Sequence, residues 1–297
     1  MIKRPLKSKS VEPSGRGHFT RLPYLEMKQL ICWLVISFIF SGFTSDRKEI
    51  YPAVKNESFG KGEVLEYKMS YGIFTVGKGS TRIDKQYHRV NNRDCFKIDV
   101  FGRTVGMVDW VADVNDQWGS YIDTAALVPH VSYRKIREGK YKKDEIITFD
   151  HPNGKIEAKV FNHKTGKFKE PKHYDAPVHV RDMISGFMYL RTQDLSKVKV
   201  GDTVTISAFF EDTFYKLKVI YKGKDVVKTK AGKIRALVFK PHMPENSLFD
   251  GKDSITAWFS DDKNRIPIKV SANMFIGSAG VELTAYHGLR NPLNLVK

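Results

Sequence analysis

The sequence predicts an all-β fold, mainly antiparallel, arranged as a curled β-sandwich or open β-barrel with one short helix packed on a sheet. Three observations carry this. Apolar–polar alternation of period two recurs from residue 61 to 287, turn-forming residues fall between the alternating runs, and one short segment alone has helical spacing. Of 297 residues 41% are hydrophobic, including 19 Phe, 13 Tyr and 4 Trp, which is enough to fill a core and excludes wholesale disorder.

Residues 1–26 carry Lys3, Arg4, Lys7, Lys9, Arg16 and Arg21 without apolar period, and read as a segment upstream of a true start at Met27 or as a long basic leader. Residues 27–45 read as a signal peptide: Leu30 to Phe43 is an uncharged apolar run, preceded by Lys28 and followed by Thr44 and Ser45. A signal core needs about 7 to 15 apolar residues and a bilayer-spanning helix roughly 20. A retained anchor is the alternative. Cys32 lies near the beginning of the run and no Cys stands at its end, so the acylated Cys of a lipoprotein is not expected. The implied product is a periplasmic or secreted protein of a Gram-negative bacterium, with no transmembrane span after cleavage. Its one remaining cysteine, Cys95, has no intramolecular partner and reads as a packed thiol within a strand.

Residues 46–60 are polar and read as a tether. A single β-rich domain is expected over 61–287, in two halves (61–170 and 192–287) joined by 171–191, with 288–297 as a C-terminal tail; two independent domains is the alternative. In the first half Leu65, Tyr67, Met69 and Tyr71 alternate with Glu66, Lys68 and Ser70, and Ile156, Ala158 and Val160 alternate with charged residues. In the second, Val204 to Phe210 and Tyr215 to Tyr221 repeat the pattern, and Val281, Leu283 and Ala285 make a last strand. Such alternation marks antiparallel strands with one wet and one buried face. Hairpin turns are expected at Asn91-Asn92, Asn153-Gly154, Lys222 to Asp225 and Asp261 to Asn264, because Gly and Asn supply the positive φ that tight turns demand. Met183, Ile184, Phe187, Met188 and Leu190 form the helical stripe, with Asp182 as its N-cap.

The net charge is +17, and residues 46–297 retain 43 Lys+Arg against 31 Asp+Glu. The excess is spread over alternating positions, as on solvated strand faces. In an exported protein it suits anionic lipid headgroups or acidic glycans better than nucleic acid, and no nucleic-acid partner is expected.

Gly62-Glu63-Val64-Leu65-Glu66-Tyr67, then Tyr71-Gly72 and Val76-Gly77-Lys78-Gly79, resemble the opening of the bacterial exported family catalogued as domain of unknown function 3108. Asp182 to Arg191, Val200-Gly201-Asp202, Thr229 to Lys233, Trp258 to Asp262 and Arg265 to Ile268 continue that resemblance across most of 60–287. It implies a β-rich envelope protein with sheets curled around an apolar interior, and it implies no activity or catalytic residue.

Parts for catalysis are sparse. There is no GxSxG elbow, and Gly77-Lys78-Gly79-Ser80 is too short for a phosphate loop. His173, Asp175, His179 and Asp182 match no zinc spacing, and the Asp261-Asp262 pair is explained by its turn. Glu211 and Asp212 are left as a carboxylate pair whose separation is a tertiary property. No catalytic residue, metal or cofactor is assigned. The expected role is non-catalytic binding of a hydrophobic or amphipathic envelope component, with Tyr67, Met69, Trp110, Phe187, Met188 and Trp258 lining its cavity. A glycan-binding or polysaccharide-assembly accessory protein and an envelope hydrolase are the alternatives.

Overall fold

The computed structural model describes residues 50–195, 197–242, 251 and 253–296. The expected leader, signal peptide and first tether residues lie outside them. The first half forms β1 (Val64–Tyr71), β2 (Phe74–Val90), β3 (Arg93–Thr104), α1 (Met107–Ala112), β4 (Asn115–Asp123), β5 (Pro129–Glu138), β6 (Tyr141–Asp150) and β7 (Lys155–Asn162). Two short strands, β8 (Lys167–Phe168) and β9 (Lys172–Asp175), both pair with β7, and α2 (Met183–Arg191) follows. The second half forms β10 (Thr203–Phe210), β11 (Thr213–Thr229), β12 (Gly232–His242), β13 (Ile255–Ser260), β14 (Pro267–Asn273) and β15 (Ser278–His287). Pairing is antiparallel throughout these strands, and β15 returns to β1, so one sheet runs from β10 through β15 and β1 to β7 and β8.

Among the described strands no ladder closes the sheet: a single parallel bridge from Arg181 to Ala208 meets the free edge of β10, and side chains span the rest of the seam. Phe209 of β10 packs on Tyr174 of β9 at 5.0 Å and shares a buried cluster with Ile147, Phe149 and Ile156. Lys172 pairs with Asp212 at 2.6 Å and Lys143 with Glu211 at 3.2 Å, while Arg134 joins Glu145 to Glu211. Helix α2 packs inside this curl. The Asp182 side chain accepts from the Ser185 backbone N–H at 2.7 Å, and Ser185 Oγ accepts from the Asp182 N–H, which completes a capping box. Ile184 and Met188 enter the first-half core with Ile98 and Ile122, whereas Leu190 joins Ile206, Val219 and Phe239 in the second.

Four expectations change in the structure. Lys222 to Asp225 is not a turn: β11 continues through it with a bulge at Gly223, whose φ is +113°. The bulge changes the buried face, so Tyr221 packs in the second-half core and Val227 in the cluster shared with Leu65 and Ile268. Trp110, expected at the cavity, is on a second short helix, α1, beside the one helix that the spacing predicts. The described part of the expected tether is a strap: Val54 N–H donates to Ala125 O at 2.7 Å and Phe59 is fully buried. The expected tail is docked as well, since Leu295 bridges to Ile234 and Asn291 bonds to Asn264.

The strap, β1, α2 and the β13–β14 turn meet at one buried ion pair. Arg191 Nη1 and Nη2 lie 2.6 and 2.8 Å from the two oxygens of Glu63, with both side chains 1% exposed. Arg191 Nε donates to Asn264 O at 3.0 Å, its guanidinium lies over the Phe59 ring, and its backbone carbonyl accepts from Ser58 and Arg265. Removing one member strands a buried charge, which costs roughly 3–5 kcal/mol. Glu63→Leu and Arg191→Met are each expected to lose that much in urea unfolding, and the double variant much less than their sum.

A second polar lock lies at the same end. Asp123 is buried and accepts from Arg93, from His130 and from the Ala125 and Ala126 N–H groups. Burial works to raise its pKa, yet these hydrogen bonds outweigh burial and hold the carboxyl far below the usual range. Nearby His151 donates to Pro129 O at 2.7 Å, and burial pushes its imidazole down to about 4 despite that bond. The folded state therefore keeps His151 neutral where the unfolded chain, with a pKa of about 6.5, takes up a proton. The His151 contribution is complete above that value and is lost as pH falls through the interval toward 4. The urea midpoint is expected to drop across that window, and to drop less in His151→Gln.

Candidate ligand cavity

Met69 on β1 faces Gly77 of β2, and Gly79 of β2 faces Gly102 of β3. These glycines leave the inner wall bare of side chains, and Met69 lies across them: a Cβ on Gly79 would sit 2.8 Å from Met69 Cε and 3.1 Å from Phe101 O. Opposite this bed, α2 turns a second apolar face outward, with Met183 and Phe187 one turn apart and 48% and 37% exposed. Between helix and wall lies a cavity of about 340 Å³, within the roughly 300–1,000 Å³ range of small-molecule sites.

Its lining is apolar. Tyr67, Met69, Val100, Trp118, Val270 and Val281 contribute from the wall and Met183, Ile184, Phe187 and Met188 from α2, with Lys269 as the one charged lining residue among those described. Tyr67 Oη donates to Pro267 O at 3.3 Å, and burial raises its pKa well above the normal phenol value, so its one polar group stays neutral and occupied within the wall. Trp118 is held on its far side by Phe210, stacked at 5.7 Å, and by the Arg134 guanidinium at 5.5 Å.

Four of the six residues expected at the cavity, Tyr67, Met69, Phe187 and Met188, are brought together here. Two are elsewhere. Trp258 Nε1 donates to Asp225 at 2.9 Å, Lys269 covers its ring, and it packs against the Leu65–Ile268 cluster. Trp110 is 94% exposed on α1. Val270, Val281 and Trp118 were not among the six. Their signal lay in the alternating glycines of Gly77-Lys78-Gly79, because Gly inside a strand marks a place where something approaches the backbone closely.

A second hollow, a polar groove of about 520 Å³, shares Tyr67, Gly79, Ser80 and Phe101 with the cavity. Among the described residues it carries Lys68, Lys78, Arg82, Arg103 and Lys230 against one acid, Glu66. Lys68, Lys78 and Arg103 are directly opposed across β1, β2 and β3. Like charges so placed repel, and of the three only Lys68 has an ion-pair partner among the described residues, Glu282 at 3.7 Å.

Residues weighed for catalysis are engaged in structural roles. Glu211 and Asp212 form the β10–β11 turn; hydrogen bonding from Arg134 lowers the Glu211 pKa, and Asp212 is lowered, against the effect of burial, by bonds from Lys172 and Tyr174. Asp182 is consumed by the helix cap, while His173 and Asp175 sit on β9. Among the described residues no group of three or more His, Cys, Asp and Glu is placed to hold a metal. Cys95 is buried, and burial raises its thiol to about 12.

Residues 66–284 match the model of a family described as a protein of unknown function, DUF3108. No curated protein matches. Among solved structures, the chain is similar to a β-barrel-like protein of the DUF1849 family from Brucella abortus, at 11% identity and a TM-score of 0.48, covering 79% of this chain and 99% of that one. It is also similar to a protein from Bacteroides fragilis described as exported with a YmcC-like fold (7% identity, TM-score 0.29, 79% and 99% covered) and to a hypothetical protein from Chlamydia trachomatis (9%, 0.30, 80% and 93%). No helix among the described residues is long and apolar enough to cross a membrane.

Trp118 is the one described tryptophan on the cavity wall. An apolar fluorescent probe such as N-phenylnaphthylamine is expected to quench it by energy transfer on binding. The quenched amplitude should fall more in Trp118→Phe than in Trp110→Phe, with the remainder coming from Trp258 beside Lys269, as read by titration of intrinsic emission.

Proposed function

This chain belongs to the DUF3108 family, and from that premise we propose that it is a non-catalytic protein of the bacterial cell envelope that holds a hydrophobic or amphipathic envelope component between α2 and the sheet. The observation that carries this reading is the cavity itself: about 340 Å³ bounded by aliphatic, aromatic and methionine side chains, with its mouth formed by the exposed Met183 and Phe187. Large apolar side chains half open to water are favoured where a ligand covers them. Methionines at 69, 183 and 188 give the lining an adaptable surface suited to flexible chains. Lys269 offers one cation to a headgroup, whereas acid–base catalysis asks for converging titratable groups. The apolar run over 30–43 supports delivery to the periplasm.

Native mass spectrometry of the protein isolated from its own host's envelope, with solvent extraction of the bound fraction, tests the reading. A stoichiometric lipid-like adduct is expected, and Val281→Phe, which adds bulk to the cavity wall, is expected to lose at least nine-tenths of it while keeping its thermal midpoint within a few degrees. A bare mass for the unaltered protein, or an undiminished adduct in Val281→Phe, would overturn it.

A further inference from the structure

The two ends of the sheet differ in a way that packing does not require. At the end where β1 begins, three turns are polar: Asn91-Asn92 joins β2 to β3, His151 to Gly154 joins β6 to β7, and Asp261 to Arg265 joins β13 to β14, while the apolar residues of the β4–β5 turn, Leu127 and Val128, are buried. At the opposite end three neighbouring connections carry large apolar side chains in the open. Ile73 and Phe74 tip the β1–β2 hairpin (92% and 69% exposed), Phe275 and Ile276 the β14–β15 hairpin (63% and 81%), and Met107 and Trp110 lie on α1 between β3 and β4 (89% and 94%). The strand order β14-β15-β1-β2-β3-β4 sets them side by side. Gly72 N–H donates to Ser278 O at 2.8 Å, and Val105 N–H to Val76 O at 3.1 Å, which ties each connection to its neighbour.

Cations stand directly behind these tips. The opposed row Lys68–Lys78–Arg103 crosses β1 to β3 a few residues back from Ile73 and Phe74, and the groove it lines runs on toward the other end of the strands, to Arg82 and Lys230. The next connection at this end, β5–β6, carries Lys140, Tyr141 and Lys142, all exposed. Turns are ordinarily polar because their backbone must be solvated, and a like-charge row is unfavourable in water alone. Both features become favourable together at one kind of surface, an interface whose interior is apolar and whose boundary is anionic.

We propose that this end of the sheet docks on an anionic lipid bilayer, with Ile73, Phe74, Met107, Trp110, Phe275 and Ile276 entering the headgroup–acyl boundary and the Lys68–Lys78–Arg103 row meeting lipid phosphates. None of these nine side chains lines the cavity, and the surface does not depend on the cavity's being occupied.

The test is sedimentation of the protein, as isolated from the expressing cell, with vesicles of phosphatidylethanolamine and phosphatidylglycerol (3:1) and with phosphatidylcholine alone. Binding to the anionic vesicles is expected to exceed binding to phosphatidylcholine at least tenfold and to weaken as salt is raised. Phe74→Ser combined with Trp110→Ser is expected to lower it at least tenfold, and Lys78→Glu combined with Arg103→Glu likewise. These positions are exposed, so folding is checked by an unchanged thermal midpoint. Brominated acyl chains in the vesicles should quench emission in the unaltered protein, with a smaller loss in Trp110→Phe. Val281→Phe should bind vesicles normally, which separates this surface from the cavity. Equal binding by the tip variants, or none to anionic vesicles at low salt, would overturn the proposal, and so would capture of a protein partner through these residues in the absence of lipid binding.

Discussion

The Glu63–Arg191 ion pair is the constraint on which the remaining arrangement depends. It joins the first residues before β1 to the last residue of α2 across 128 positions of sequence, and through Asn264, Ser58 and Phe59 it recruits the β13–β14 turn and the strap. A fully buried charge pair is seldom a net source of stability. Its consequence here is positional: α2 has one seating in which its arginine is satisfied, and that seating points Ile184 and Met188 inward and leaves Met183 and Phe187 facing the wall.

With the helix fixed, the apolar cavity follows from what the wall lacks. Gly77, Gly79 and Gly102 remove three side chains where a packed barrel would place valine or isoleucine, and Met69 alone lies over the gap. The curl needs no closing ladder of hydrogen bonds, because Phe209 against Tyr174 and the Arg134, Lys143 and Lys172 ion pairs span the seam. Side-chain closure leaves the circumference adjustable, so the interior is not obliged to be filled to the density that a closed barrel of short radius imposes.

Strands, most hairpins and α2 with its Asp182 cap were legible in the sequence, since each depends on spacing within about ten residues. Glu63 and Arg191 stood inside stretches singled out for other reasons, but nothing local distinguishes them from the exposed Glu66 or Arg103; their pairing is purely tertiary. Gly223 was read as a turn because glycine marks turns and bulges alike, and only the pairing of Gly223 with Val238 decides for the bulge. Trp110 and Trp258 were assigned to the cavity on residue type. The positive φ of Gly106 starts a helix that carries Trp110 outward, and the bond to Asp225 holds the indole of Trp258 against the Leu65–Ile268 cluster, away from the cavity. The strap and the docked C-terminal residues read as polar linkers because their anchoring is by few residues, such as Phe59 and Leu293, set among hydrophilic neighbours.

The molecule is thereby polarised along its strands. Two extensively hydrogen-bonded buried charge clusters, Glu63 with Arg191 and Asp123 with Arg93 and His130, lie at the end where β1 begins, while the buried Arg134–Glu145 pair belongs to the seam. The cavity-lining positions of β1, Tyr67 and Met69, are nearer the other end, where the next residues lead to Ile73 and Phe74. A bare apolar hollow loses the dispersion contacts that its walls would otherwise make, and it stays open only where the surround cannot collapse into it. The polar locks supply that rigidity from below, because rearranging them exposes or strands a charge, whereas the apolar tips above have few packing partners to lose. Rigidity and exposure are thus assigned to opposite ends of the same strands, and the cavity sits where the first gives way to the second.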